Sequence, residues 1–109
     1  MKSAIITAAS ESYAKQLLAL LGSLKSNWPS HPPVVVYDLG LPVSVVDYLE
    51  SRNVEVRKVP EFCSHWRQHF TWKIWCWNDI DAETFLWIDA GAVVLSPLVE
   101  VFPHIENTG

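Results

Sequence analysis

Glycine is scarce in this 109-residue chain, with only four residues. None of them falls in Thr7-Ala8-Ala9-Ser10, the turn after the first apolar run. That excludes a dinucleotide site of the GxGxxG type, which needs glycine for the tight turn and for close approach to a pyrophosphate. There is no GxSxG elbow, and no Ser/His/Asp set can be placed for nucleophilic catalysis. Two cysteines, Cys63 and Cys76, give neither metal-type spacing nor a disulfide framework, so reduced thiols are expected. His65 and His69 follow Cys63 closely, but no fourth ligand accompanies them, and a metal site there is not expected. No apolar run approaches the roughly 20 residues that a membrane span needs. The start, MKSAIITAAS, has one lysine and too short an apolar stretch for a signal peptide, and reads instead as a strand. Charge is sparse, at 18% of residues, and the formal net charge is −4, which points away from nucleic acid and from anionic membrane surfaces. Internal repeats, low-complexity tracts and linkers are missing too, so a single domain is expected.

What the chain has in quantity is apolar residues, half of the total, and six tryptophans. Four of these, Trp66, Trp72, Trp75 and Trp77, lie within one short stretch. Apolar runs alternate with helical periodicity. Residues 4–8 (AIITA) read as a strand. Ser10 is placed to cap a helix with Glu11 in its first turn, and Tyr13, Leu17, Leu20, Leu21 and Leu24 recur at helical spacing. Asn27-Trp28-Pro29 ends it. Residues 34–37 (VVVY) form a second strand, closed by Asp38-Leu39-Gly40. A short helix begins at Pro42, turns Val45, Val46 and Leu49 inward and ends near Asn53. Residues 54–59 alternate apolar and charged side chains, as an edge strand does. After a loop at 60–64, residues 67–79 read as a helix, and 97–102 as one or two helical turns.

Residues 84–95, TFLWIDAGAVVL, are the most informative. An apolar run ends in one carboxylate, Asp89, followed by Ala90, Gly91 and a second apolar run. A strand apolar on both faces belongs in a helix-covered parallel sheet. The fold class is therefore α/β, with a parallel Rossmann-like sheet whose predicted strand order is 3-2-1-4. The switch point falls between strands one and four, so residues 7–10 and 89–91 are expected to share one crevice. Asp89 either begins a turn or faces a ligand there. Lys73 is the second clue, because Trp66, Phe70, Lys73 and Trp77 share one helix face at i, i+4, i+7 and i+11. Such a lysine either covers the tryptophan rings with its stem or reaches a ligand phosphate as a point charge.

Three stretches, in order, give the chain a family likeness. Tyr13-Ala14-Lys15 and Gly22-Ser23-Leu24-Lys25 lie in the first; Lys73-Ile74-Trp75-Cys76-Trp77 is the second. Residues 85–95, followed by Pro97-Leu98 and Val101-Phe102, are the third. Together they resemble the N-terminal half of GT-A nucleotide-diphospho-sugar transferases, particularly the glycogenin-like group. The resemblance implies an incomplete GT-A fold in one nucleotide-sugar-binding domain, a truncated fragment inactive by itself. It implies a UDP-sugar donor with its uracil near Thr7, Ala8 and Tyr13. Lys73, Asp89, Ala90 and Gly91 complete the nucleotide-binding set.

The family's Asp-x-Asp motif holds Mn²⁺ or Mg²⁺, which implies Asp89 as a metal ligand here. Gly91 stands where the second carboxylate belongs, so metal affinity is expected to be weakened. The family's later metal-binding histidine has no counterpart, and His104 follows the motif too soon to replace it. An alternative is a non-catalytic nucleotide-binding or assembly module with a degraded motif. Beyond the sugar donor, self-association through the edge of the unfinished sheet is expected.

Overall fold

The computed structural model describes residues 2–60 and 71–92. The predicted Trp66 and Phe70 of the lysine stripe, His65, His69 and Cys63, the start of the 67–79 helix, residues 93–95 of the second apolar run, the turns at 97–102 and His104 lie outside them.

Strand β1 (Ser3–Ala9) is buried along almost its whole length, because small and β-branched apolar residues let it pack against helices on both faces. It is flanked by β2 (Val34–Asp38) and β4 (Thr84–Trp87), and β2 carries β3 (Glu55–Lys58) on its far side. The sheet is fully parallel with order β3-β2-β1-β4, as the alternation of elements predicts. The charged, half-exposed β3 is an outer strand, again as its pattern predicts.

Period-2 alternation sorts the strand residues into two cores. Ile5, Ala9, Val34 and Val36 meet Leu17, Leu20, Leu24 and Trp28 from α1 (Ala14–Asn27) and its end, and Leu49 from α2 (Val43–Ser51). Ala4, Ile6, Ala8, Val35 and Tyr37 meet Cys76 and Ile80 at α3 (Thr71–Asp79) and its end. Two helices cover one face and α3 the other, as expected when successive right-handed crossovers move first one way from β1 and then back past it.

Two local details depart from the sequence reading. Ser10 makes no side-chain cap; its carbonyl accepts the Tyr13 N–H at 3.0 Å in a single 3₁₀ turn that precedes α1. The Glu11 N–H is instead tied to the Gly40 carbonyl at 3.1 Å, which fixes this turn against the β2–α2 connection. Tyr13, read as part of the inward stripe, sits in that turn and is 54% exposed. The β2–α2 connection is itself closed by Asp38, whose Oδ1 accepts the N–H groups of Gly40 and Leu41 at 2.7 and 2.6 Å. Gly40 has φ 121°, a conformation that a side chain would strain.

Candidate nucleotide crevice at the carboxyl ends of β1 and β4

A parallel sheet whose connections diverge between two neighbouring strands leaves a gap beyond their carboxyl ends that no crossover fills. Here that gap is a crevice of about 520 Å³ between β1 and β4. Its floor and walls are Ala8, Ala9 and Ser10 after β1, Tyr13 from the 3₁₀ turn, Leu39 after β2, Trp72 and Lys73 from α3, and Asp89, Ala90 and Gly91 after β4. The volume falls in the range of small-molecule sites. A second hollow of about 600 Å³ lies between α1 and α2, near the start of β2, with Lys25, His31, Tyr48 and Arg52 among its lining residues. It is at the wrong end of the sheet for this class of fold.

The polar heart of the crevice is built on β4. The β1–β4 ladder runs on past the last strand residue, with the Ile88 N–H donating to the Ile6 carbonyl at 3.0 Å. Alternation then sends Leu86 and Ile88 toward α1, and Phe85 and Trp87 toward α3. The Trp87 indole N–H donates to Asp89 Oδ1 at 2.8 Å, two residues on. A turn closed by the Ala92 N–H on the Asp89 carbonyl, at 2.9 Å, follows. Asp89 is therefore held by its neighbour, yet its side chain is 75% exposed to the crevice.

Lys73 comes to the same place from α3. Its Nζ is 4.0 Å from Asp89 Oδ1, 5.2 Å from the centre of the Trp87 ring and 5.9 Å from that of Trp72. The rings of Trp72 and Trp87 lie 5.8 Å apart, and Trp77 meets Trp87 edge-on at 6.3 Å. The electron-rich faces attract the ammonium, and desolvation by the rings strengthens that attraction. Both readings of Lys73 thus describe one geometry, in which it touches tryptophan and its charge reaches the crevice.

Six of the seven residues expected at the site line the crevice: Ala8, Tyr13, Lys73, Asp89, Ala90 and Gly91. Thr7 does not. It is fully buried, and its Oγ1 has no hydrogen-bond partner in the structure. Thr7 shares a strand face with Ile5 and Ala9, which pack into the α1 core. Leu39 and Trp72 were not anticipated. Leu39 is brought in by its N–H bond to the Ala9 carbonyl, at 2.9 Å, which extends the β1–β2 ladder to the crevice rim. Its position just after the second strand was the available signal, as adjacency to Lys73 was for Trp72.

The divalent cation implied by the family likeness is poorly matched by these donors. Mg²⁺ takes oxygen ligands, of which one or two carboxylates come from the protein and the rest from substrate phosphates and water. Among the described residues no group of three or more His, Cys, Asp or Glu side chains is gathered to hold an ion. Among the described residues the crevice is lined by one carboxylate, Asp89, with an ammonium already beside it. Asp79 and Asp81 are engaged elsewhere, by Arg57.

The architecture is a Rossmann-like α/β fold, and comparison with solved structures supports that fold. No family model and no curated protein sequence matches the chain. Solved structures do. The S. aureus TarS fragment 1-349 in complex with UDP matches 98% of this chain with a TM-score of 0.67 and 18% identity. A longer S. aureus TarS structure gives the same TM-score and identity, and a further structure of the 1-349 fragment gives 0.64 and 16%. The chain spans 32% of the 1-349 fragment and 20% of the longer TarS chain. At these identities the likeness shows a shared fold and does not single out the glycogenin-like group.

Proposed function

We propose that the crevice binds the nucleoside diphosphate of a nucleotide-sugar, a UDP-sugar in the first instance, and that the domain is the donor-binding part of a glycosyltransferase. The observation that carries this reading is the meeting of an exposed aromatic ring, Tyr13, with a lysine, Lys73, across one crevice at the switch point. An exposed ring is a platform for a base, and stacking of that kind contributes about 1–3 kcal/mol per base. An ammonium beyond it meets the charge of a diphosphate. The complex of UDP with TarS, a protein of the same fold, supports the choice of nucleotide.

The chemistry such a site can perform is charge stabilisation. When the sugar leaves, negative charge gathers on the departing diphosphate, and a fixed cation lowers the cost of that change. Lys73 does this without giving up a proton. Asp89 and the tryptophan faces keep its ammonium at the crevice wall, and the apolar lining of Ala8, Ala9, Leu39 and Ala90 limits competing water. The narrower glycogenin-like assignment rests on the sequence likeness of the three stretches, Tyr13-Ala14-Lys15 with Gly22-Ser23-Leu24-Lys25, Lys73-Ile74-Trp75-Cys76-Trp77, and residues 85–95 with Pro97-Leu98 and Val101-Phe102.

Gly91 favours a second reading, a module that binds nucleotide without transferring sugar, because it removes a carboxylate from the motif. Two measurements separate the possibilities. Titration of the intrinsic tryptophan fluorescence with UDP should saturate, and Tyr13→Ala should weaken it by about tenfold. An unsaturable response, or one untouched by Tyr13→Ala, would refute nucleotide binding in this crevice. Release of UDP from a UDP-sugar, above the rate without protein, would then favour the transferase over the binding module.

A further inference from the structure

Because Asp89 already has a cation beside it, we infer that Lys73 takes the place of the divalent metal, and that this site binds a nucleoside diphosphate without Mn²⁺ or Mg²⁺. The inference rests on the nucleotide reading of the crevice and goes further by stating what neutralises the phosphates. Three observations lead to it.

The first is the engagement of the carboxylate. Asp89 Oδ1 accepts the Trp87 indole N–H at 2.8 Å and lies 4.0 Å from the Lys73 ammonium. A metal bound to Asp89 would sit at roughly 2.0–2.1 Å from a carboxylate oxygen. It would then lie within a few ångströms of an existing positive charge, and like charges at that range oppose each other.

The second is how firmly the ammonium is placed. It is held on three sides, by Asp89 and by the faces of Trp72 and Trp87, with its side chain three-quarters buried. A lysine that merely snorkels to water needs no such surroundings. Asp89 acts here as a positioning residue for Lys73, while the ammonium is the group that meets the phosphates.

The third is the freedom at Gly91. A Cβ built there meets no atom within 4 Å, and its backbone is not in the left-handed region that favours glycine. Packing and conformation both leave room for an aspartate two residues after Asp89. The missing second carboxylate is thus a property of the site's chemistry, not a steric necessity of the fold. Restoring it should restore a place for metal.

The test is UDP binding to the 109-residue chain by calorimetry, in EDTA and in Mn²⁺, for wild type, Lys73→Met, Lys73→Arg and Gly91→Asp. Circular dichroism confirms that each variant is folded. Wild type should bind UDP with affinities that agree within about threefold in the two buffers. Lys73→Met should lose about tenfold or more in EDTA, and Lys73→Arg should recover part of that loss by keeping the charge. Gly91→Asp should tighten about tenfold on adding Mn²⁺, with the bound ion visible by electron paramagnetic resonance. Wild-type binding that tightens more than about tenfold with Mn²⁺, or appears only with it, would overturn this inference and leave the nucleotide reading standing. No UDP binding in either buffer would overturn both.

Discussion

Helix α3 carries a charged residue near each end of its described length, and the two meet their partners differently. Toward its end, Asp79 is gripped by Arg57 of β3. The guanidinium donates to Asp79 Oδ2 at 3.0 Å and to Asp81 Oδ1 at 2.8 Å and pairs with Glu55 as well, while the Tyr37 hydroxyl donates to Asp79 Oδ2 at 2.8 Å. Toward its start, Lys73 has one carboxylate at 4.0 Å and two aromatic faces. Arg57 sits among three acids that match its donors, a saturated arrangement with no room for another anion. Lys73 lies beside Asp89 and two tryptophan faces and lines a crevice. The first cluster fastens α3 to the sheet; the second is suited to a ligand. A carboxylate at a helix C-terminus is also unfavourable to the helix dipole, so Asp79 needs its Arg57 partner for stability.

The titration behaviour follows the same division. Burial works against the Arg57 charge, but the hydrogen bonds it donates to Asp81, Glu55 and Asp79 outweigh it and hold the group above the ordinary arginine value. Burial, then the bond to Asp79, raises the Tyr37 phenol, so it stays a neutral donor. Burial also pushes the Cys76 thiol up to about 12, which keeps it protonated and unreactive at neutral pH.

The difference between the clusters can be broken by mutation. The largest expected effect is that of Arg57→Ala, which leaves Asp79, only 32% exposed, without its main counter-charge. A loss of about 2–3 kcal/mol is expected, read as a lower urea midpoint. A loss under about 0.5 kcal/mol would place this network among ordinary surface pairs. Tyr37→Phe removes one bond to Asp79 while Arg57 stays, and should cost about 1 kcal/mol in the same assay. Lys73→Met should change the urea midpoint least of the three, by less than about 0.5 kcal/mol, because the methylene stem still covers the tryptophan rings. A large loss there would mean that Lys73 is structural and the contrast false.

The smallest effect is on the pH dependence of stability. The Arg57 hydrogen bond lowers the Asp81 carboxyl from its ordinary value of 3.8. A lowered folded-state value gives stability that is present above the unfolded value and lost as pH falls through the folded one. The urea midpoint should therefore decline below about pH 4, and Asp81→Asn should flatten that decline slightly. An unchanged acid limb in the variant would remove Asp81 from the account.

Much of this was legible in the sequence. The uninterrupted apolar runs of β1 and β2 and the charged alternation of β3 encode which strands are central, and right-handed crossovers turn that into the order 3-2-1-4. The same logic brings residues 8–10 and 89–91 together. Thr7 is buried and is not among the residues that line the crevice, although its neighbours Ala8 and Ala9 are, a difference of depth that a strand-end position does not encode. The Arg57 cluster was invisible because Arg57 on β3 and its partners Asp79, at the end of α3, and Asp81, just after it, are more than twenty residues apart and share no local spacing. Leu39 and Trp72 enter the crevice through ladder extension and side-chain reach, neither of which a periodicity records.

The central claim is that nucleotide sits between Tyr13 and Lys73. The indole N–H resonances of the tryptophans in a ¹H–¹⁵N spectrum test it most directly, because these rings are distributed between the two faces of the sheet. Trp72 and Trp87 border Lys73, while Trp28 is buried in the α1 core on the opposite face. Addition of UDP should shift the Trp72 and Trp87 resonances along saturable curves and leave Trp28 in place. Saturable shifts at Trp28 with none at Trp72 and Trp87, or no shift at any tryptophan at millimolar UDP, would contradict it.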